Sequence, residues 1–282
     1  MMLKSTGRDI LLVGGEGFIG RNIAGYFSWE NTCVSVGSKL SFFEQRTDVF
    51  LLANPYEESI RHESDVIVHL IDNKVPIDTF VAQEEHLVRN IGLKKDCHLI
   101  VFSSAVVYAN PDSEYGQRKR ALERFYAEYC EANGIRLTIF RLFNTYGPYQ
   151  IPYRQGSLVG NLLYNALTGI RTDINDPEAM RDFLYAGDIP RCIEHAIEHR
   201  MVGIHDMGSG QLTSIGELIA LLNTKVVDGR LDIAYRDNRE SIPNRCADSD
   251  WAKGIALTGL EEGLRRTVKF YEENMPLMKK IC

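Results

Sequence analysis

Through the first half of the chain, short apolar runs alternate with amphipathic stretches. That alternation predicts strand-helix units building a parallel sheet. Strands are expected at Asp9–Val13, Cys33–Val36, Val49–Ala53, Val66–Leu70, Leu99–Ser103 and Arg136–Leu142, and helices at Phe18–Ser28, Tyr56–His62, Ile77–Asn90 and Tyr115–Glu131. After Gly147 and Pro148 the rhythm changes to a loop rich in Tyr, Gln and Pro, followed by a helix at Leu158–Leu167. This break marks the start of a smaller lobe. Asp182 to Met207 again reads helix then strand, as a return to the sheet would. The expected architecture is an α/β, doubly wound parallel sheet formed by residues 1–148 with 182–207. A smaller C-terminal lobe is formed by 149–181 and 208–282.

A length of 282 residues with 44% hydrophobic side chains is ample for a real core in one large domain or two unequal lobes. Lys and Arg number 32 against 38 Asp and Glu, a net charge of -6, and the basic residues form no stripe, so nucleic acid is not an expected partner. No apolar run approaches the roughly 18 residues that span a bilayer. Ile10–Val13 is too short for the apolar core of a signal peptide. The six cysteines, Cys33, Cys97, Cys130, Cys192, Cys246 and Cys282, are widely spaced with no C-x-x-C pair, as free thiols in a reducing cytoplasm would be. Cys282 is the final residue rather than the fourth from the end, so it makes no prenylation box. The expected location is therefore cytoplasmic, without membrane insertion.

The first predicted strand runs into Gly14-Gly15-Glu16-Gly17-Phe18-Ile19-Gly20 and then an amphipathic helix. Glycines at 14, 17 and 20 resemble the Rossmann dinucleotide fingerprint with one extra residue between the first two. They let the backbone turn tightly and approach a pyrophosphate, and they present the helix N-terminus to its negative charge. The strand before and the helix after separate this reading from that of an ordinary Gly-rich turn. An NAD site expects an acidic residue about 20 positions beyond the first glycine. No Asp or Glu occurs from Asn31 to Phe43, where Ser38 and Lys39 stand instead. The missing carboxylate removes repulsion against a 2′-phosphate, which favours NADP over NAD.

Tyr115 and Lys119, four apart at the start of a helix, share one face. An ammonium beside a phenol favours the phenolate, and such a pair makes a proton donor and acceptor for a carbonyl or alcohol. Ser103-Ser104-Ala105-Val106-Val107-Tyr108 closes the preceding strand, at the end of a doubly wound sheet where ligands bind. With the glycine loop, Tyr115-Gly116-Gln117-Arg118-Lys119, Arg141-Leu142-Phe143-Asn144-Thr145-Tyr146-Gly147-Pro148, Arg181-Asp182-Phe183-Leu184-Tyr185 and Met207-Gly208-Ser209-Gly210, the chain resembles an extended short-chain dehydrogenase/reductase of the nucleotide-sugar epimerase/dehydratase family along almost its whole length.

The resemblance implies roles residue by residue. Tyr115 is expected as the general acid/base, with Lys119 supporting it and holding the nicotinamide ribose. Ser104 is expected to orient the substrate, and Gly14, Gly17, Phe18, Ile19, Gly20 and Leu70 to line the cofactor. Asn144 and Arg181 are expected at the sugar-nucleotide diphosphate. A second phosphate arginine is expected at Arg239, with Arg245 as rival, because a guanidinium fork meets phosphate oxygens in pairs. The chain departs from the family in places. Ala105-Val106 replaces the Asp-Glu of 4,6-dehydratases, which removes the acid and base for eliminating water. Only six residues separate Tyr108 from Tyr115, as in compact 4-ketoreductases, and Ile71-Asp72-Asn73 stands where the family has small residues.

The expectation is an NAD(P)-dependent enzyme reducing a nucleotide-activated 4-keto-6-deoxyhexose at C4. A nucleotide-sugar 4-epimerase is the first alternative and a non-catalytic NADP-binding sensor or scaffold the second. Cys192, His195 and His199 share a helical face but lack a fourth ligand, so no metal is expected. Phe125, Tyr126 and Tyr129 exceed one buried stripe, which fits either core packing or the helix-pair homodimer that the family implies.

Overall fold

The computed structural model describes residues 7–27, 32–37, 49–60, 62–72, 74–154, 157–236 and 245–282. The chain divides into two compact units, Met1–Leu142 with Ile189–Asp206, and Phe143–Asp188 with Met207–Cys282. In chain order the first unit forms β1 (Asp9–Val13), α1 (Phe18–Phe27), β2 (Thr32–Gly37), β3 (Val49–Leu52), β4 (Val66–His69), α2 (Ile77–Ile91), β5 (His98–Ser104), α3 (Val106–Ala109), α4 (Glu114–Asn133) and β6 (Arg136–Leu142). The chain enters the second unit for β7 (Asn144–Tyr146), α5 (Leu158–Thr168), β8 (Thr172–Ile174) and β9 (Met180–Tyr185). It returns for α6 (Ile189–Glu198) and β10 (Gly203–Met207). It ends in the second unit with β11 (Leu212–Ser214), α7 (Ile215–Lys225), β12 (Ile233–Tyr235), α8 (Leu260–Glu273) and α9 (Met275–Ile281).

Among the described residues the large sheet has the order β10-β6-β5-β4-β1-β2-β3. The pairings from β6 through β3 are parallel, with Ile10 opposite both Cys33 and Val66. The chain winds outward from β1 through β2 to β3, crosses back to β4, and winds the other way to β6. Right-handed crossovers in opposite directions set α1 and α2 on opposite faces. Leu11, Val13, Ile67, Leu99 and Val101 bury one face against Leu87 of α2 and Tyr126 of α4. Ile10 and Leu12 alternate with them and are equally buried on the other face. Order reverses between β1 and β4, and a doubly wound sheet opens its ligand crevice beyond the carboxyl ends of strands at such a reversal.

Some expectations are corrected. The helix expected at Tyr56–His62 is absent from the described residues. Asn54 instead holds a turn, its carbonyl accepting from Glu57 N and Glu58 N and its Oδ1 from Tyr56 N at 3.2 Å. Asparagine before proline favours such a local turn over a helix. The first passage between units falls at Leu142/Phe143, and Asp182 to Asp188 lies in the second unit, so the returning segment starts at Ile189. β9 is tied there by parallel pairing with β7, Asn144 opposite Phe183, and antiparallel pairing with β11.

The second unit also holds the pair β12-β8. Its loops are fixed by two buried carboxylates. Asp182 accepts from Ser209 N and Oγ, both at 2.7 Å, from Gly210 N at 2.9 Å and from Ala247 N at 3.0 Å. Asp188 accepts from Thr258 N and Oγ1 at 2.6 and 2.7 Å. These bonds satisfy charges that are otherwise costly to bury.

Candidate active site

The loop after β1 is built for close approach. Gly14 has φ +90°, and a Cβ there would meet Ile71 Cγ1 at 2.8 Å and Ile71 N at 3.3 Å. Gly17 N donates to Gly14 O, and Gly17 O accepts from Arg21 N to start α1. A Cβ on Gly20 would sit 2.5 Å from the backbone of Gly15, so the helix packs on its own loop only with glycine there. The first amides of a helix have no acceptor within it, and in α1 these are the amides of Phe18, Ile19 and Gly20. Leu70, just past β4, donates its amide to Val13 O at 2.9 Å, which holds it beside the end of β1. Ser38 and Lys39 lie outside the described residues.

Glu16 was not among the expected site residues, yet it places a carboxylate inside the phosphate loop. Arg21, buried in α1, answers it, Nη1 to Oε2 at 2.6 Å. The pair offsets a charge that would repel a pyrophosphate.

Ser113 caps α4, its Oγ accepting from Gly116 N at 3.0 Å, and Tyr115 and Lys119 follow in the first turns. Tyr115 is partly exposed while Lys119 is buried. The Lys119 ammonium donates to Phe102 O at 3.3 Å, lies 3.5 Å from Asp72 Oδ1, and sits 5.6 Å from the Tyr115 ring centroid. Ser104 ends β5, and its Oγ accepts from Val106 N at 3.2 Å, which leaves its own O–H to donate. The three expected catalytic residues therefore lie at one end of the sheet, on β5 and the start of α4.

Beneath them runs a network whose members the sequence reading did not assign to the site. Glu123 accepts from Ser103 Oγ at 2.6 Å and from Arg141 Nε and Nη2 at 2.8 and 2.6 Å. Arg141 Nη1 donates to Tyr108 OH, which donates to Asp206 Oδ1 at 2.8 Å. The Glu123 hydrogen bonds hold the guanidinium firmly charged, and burial first, then Asp206, pushes the Tyr108 phenol up. A bidentate pair of this kind fixes geometry as well as charge, and it locks β5, β6 and α4 together beside Ser104. The signal was present: Glu123 continues the Tyr115, Lys119 spacing by four more residues.

In the second unit, Asn144 Nδ2 donates to Asp182 O at 3.2 Å, and Arg181 Nη1 to Met180 O at 2.9 Å. Both lie in the three-stranded sheet β11-β9-β7. Arg239 lies outside the described residues, and its rival Arg245 is exposed.

The family model described as the NAD dependent epimerase/dehydratase family matches residues 10–207. The chain belongs to that family. Its epimerase/dehydratase relatives include UDP-glucuronic acid decarboxylase 1 of Xenopus tropicalis, 24% identical across 95% of this chain and 73% of that protein. UDP-glucuronic acid decarboxylase 5 of Arabidopsis thaliana is 26% identical across 96% and 88%. Among solved structures of similar fold, UDP-glucose 4-epimerase of Thermotoga maritima with UDP-glucose has a TM-score of 0.79 at 22% identity, covering 94% of this chain and 99% of that one. The Bordetella bronchiseptica enzyme WbmF in complex with NADH has a TM-score of 0.81 at 18% identity, covering 98% and 95%. Like the rest of this NAD-dependent family, the protein is an enzyme on a Rossmann-type sheet. Among the described residues, no helix is long and apolar enough to cross a membrane.

Proposed function

We propose that the enzyme reduces the 4-keto group of a nucleotide-activated 6-deoxyhexose, using NADP in preference to NAD. The observation that carries this reading is the Ser104, Tyr115 and Lys119 set at one sheet end, with Ala105 and Val106 in place of carboxylates beside Ser104. Such a set moves a proton at a carbonyl oxygen but holds no neighbouring acid and base for expelling water. When bound, the nicotinamide supplies the hydride to C4. Ser104 donates a hydrogen bond that orients the carbonyl, and Tyr115 gives its proton to the oxygen as the C–H bond forms. The Lys119 ammonium favours the negative charge this leaves on the phenol oxygen. Asn144 and Arg181 are assigned to the nucleotide diphosphate, and the absence of acidic residues after β2 supports the preference for a 2′-phosphate.

The likeness to solved 4-epimerases supports a second reading, in which the same residues serve oxidation and re-reduction of one sugar with a retained cofactor. Incubating the protein with NADPH or NADH and a panel of UDP-, dTDP-, GDP- and CDP-4-keto-6-deoxysugars, while following loss of reduced-cofactor absorbance, separates the two. Consumption of NADPH in step with substrate is expected. Inversion at C4 of the corresponding 4-hydroxy nucleotide sugars without added cofactor indicates the epimerase. Tyr115→Phe is expected to lower turnover at least about a hundredfold with NADPH affinity nearly unchanged, and near-normal turnover in that variant overturns the assignment.

A further inference from the structure

Leu70, Ile71 and Asp72 cross the point where strand order reverses. Ile71 backs against Gly14, where it fills the space a Cβ would need. The next residue reaches the other way, its Oδ1 3.5 Å from Lys119 Nζ. One three-residue segment thus runs from the phosphate loop to the Tyr115/Lys119 pair, along the crevice in which a dinucleotide lies. Asp72 stands about a third exposed, and its partner ammonium is nearly buried. A partly exposed ion pair contributes little to stability, so stability alone is a weak reason for a carboxylate in this wall.

The donor and acceptor inventory suggests a better one. Lys119 has three N–H bonds: one is directed to Phe102 O and one toward Asp72, which leaves a third. An ammonium only donates, whereas each hydroxyl of a vicinal diol both donates and accepts. A carboxylate beside the ammonium supplies the missing acceptor. We propose that Asp72 and Lys119 act as one donor-acceptor pair that recognises the vicinal diol of the ribose on the nicotinamide side of the dinucleotide. This rests on the reading that Lys119 faces that ribose, and it assigns Asp72 as a cofactor-binding residue of this chain.

The test is binding rather than turnover. Calorimetric titration of the full-length protein with NADPH, ADP-ribose and ADP compares ligands with and without the second ribose. Asp72→Asn is expected to weaken NADPH and ADP-ribose about tenfold, the scale of one hydrogen bond to a charged group. ADP, which lacks the second ribose and so the diol at issue, is expected to bind Asp72→Asn as it binds the wild type. Asp72→Glu is expected to recover part of the loss, and the thermal midpoint of Asp72→Asn to stay near that of the wild type. Unchanged affinity for all three ligands overturns the proposal. So does an equal loss for all three, which marks a structural role, and so does tighter dinucleotide binding, which marks a carboxylate that only repels. If the wild type binds ADP but neither NADPH nor ADP-ribose, the assignment of the crevice itself fails and the proposal falls with it.

Discussion

Glu84 lies in the middle of α2 with no exposed surface. Its Oε2 is 3.0 Å from His69 Nε2 and accepts from Tyr126 OH at 2.8 Å, and its Oε1 accepts from Tyr56 OH at 3.3 Å. Burial by itself raises a carboxyl pKa, but the His69 charge and the three hydrogen bonds outweigh it and hold Glu84 below the usual range. A depressed carboxylate contributes stability that is present above its unfolded pKa and lost as pH falls through the folded value. Glu84→Gln is therefore expected to lower the unfolding free energy at pH 7 by about 2 kcal/mol, the scale for weakening buried hydrogen bonds to a charged group. The gap to the wild type should narrow below about pH 4. Urea unfolding at several pH values checks this, and a gap that persists undiminished at pH 3 removes the charge from the explanation. The sequence held a sign of this residue, because position 84 falls on the apolar stripe with Phe80, Leu87, Val88 and Ile91. Its partner did not show: His69 is 15 residues away on β4, and only the fold brings it to α2.

α4 carries two of the three residues expected to be catalytic, Tyr115 and Lys119. Tyr115, Lys119 and Glu123 share a face at successive spacings of four; the periodicity that predicted the helix put Tyr115 beside Lys119, and Glu123, one step further along, was not read from it. What each one touches was not legible. Phe102 O, Asp72, Ser103 and Arg141 come from strand ends and loops whose positions depend on sheet order, and sheet order has no code in local spacing. The start of the helix matters most, because Tyr115 lies two residues past the cap. Ser113→Ala removes the oxygen that satisfies Gly116 N and is expected to cost about 1 kcal/mol of stability. Fraying there displaces Tyr115 before Lys119, which lies a turn deeper and is bonded to β5. The variant should therefore lose turnover by more than it loses cofactor affinity. Stability from urea titration, read beside NADPH binding and turnover, tests this, and equal losses in binding and turnover would count against it.

At the scale of the molecule, the alternation of runs and amphipathic stretches carried the doubly wound sheet, because its strands of four to seven residues repeat in order with α1, α2, α4 and α6, which at 10 to 20 residues are long enough for their period to be read. The small sheets were not legible. β7, β8, β11 and β12 are three residues each, too short for a period to register, and only the β7–β9 register sets Asn144 opposite Phe183, on the strand that carries Arg181. The large sheet also separates chemistry from acid sensitivity along one strand. β5 ends in Ser104 at the site and begins at His98 on the opposite edge, where Nε2 is 2.8 Å from Thr138 Oγ1, which in turn donates to Met201 O. Burial first, then the Arg136, Arg8 and Arg200 charges, pushes the imidazole down to about 4. A base whose pKa is depressed by folding stays neutral while its unfolded counterpart takes up a proton near pH 6.5, so stability falls as pH drops from about 6.5 toward 4. The loss approaches about 3 kcal/mol at the low end, at about 1.4 kcal/mol per pH unit. That window lies above the one in which Glu84 loses its contribution, so acid destabilisation begins at His98. His98→Gln keeps a group able to bond Thr138 but removes the titration, and it is expected to flatten the dependence between pH 6.5 and 4.5. Urea midpoints across that range, with NADPH affinity followed in parallel, provide the measurement. A wild-type midpoint that is level from pH 7 to 5 excludes this role for His98.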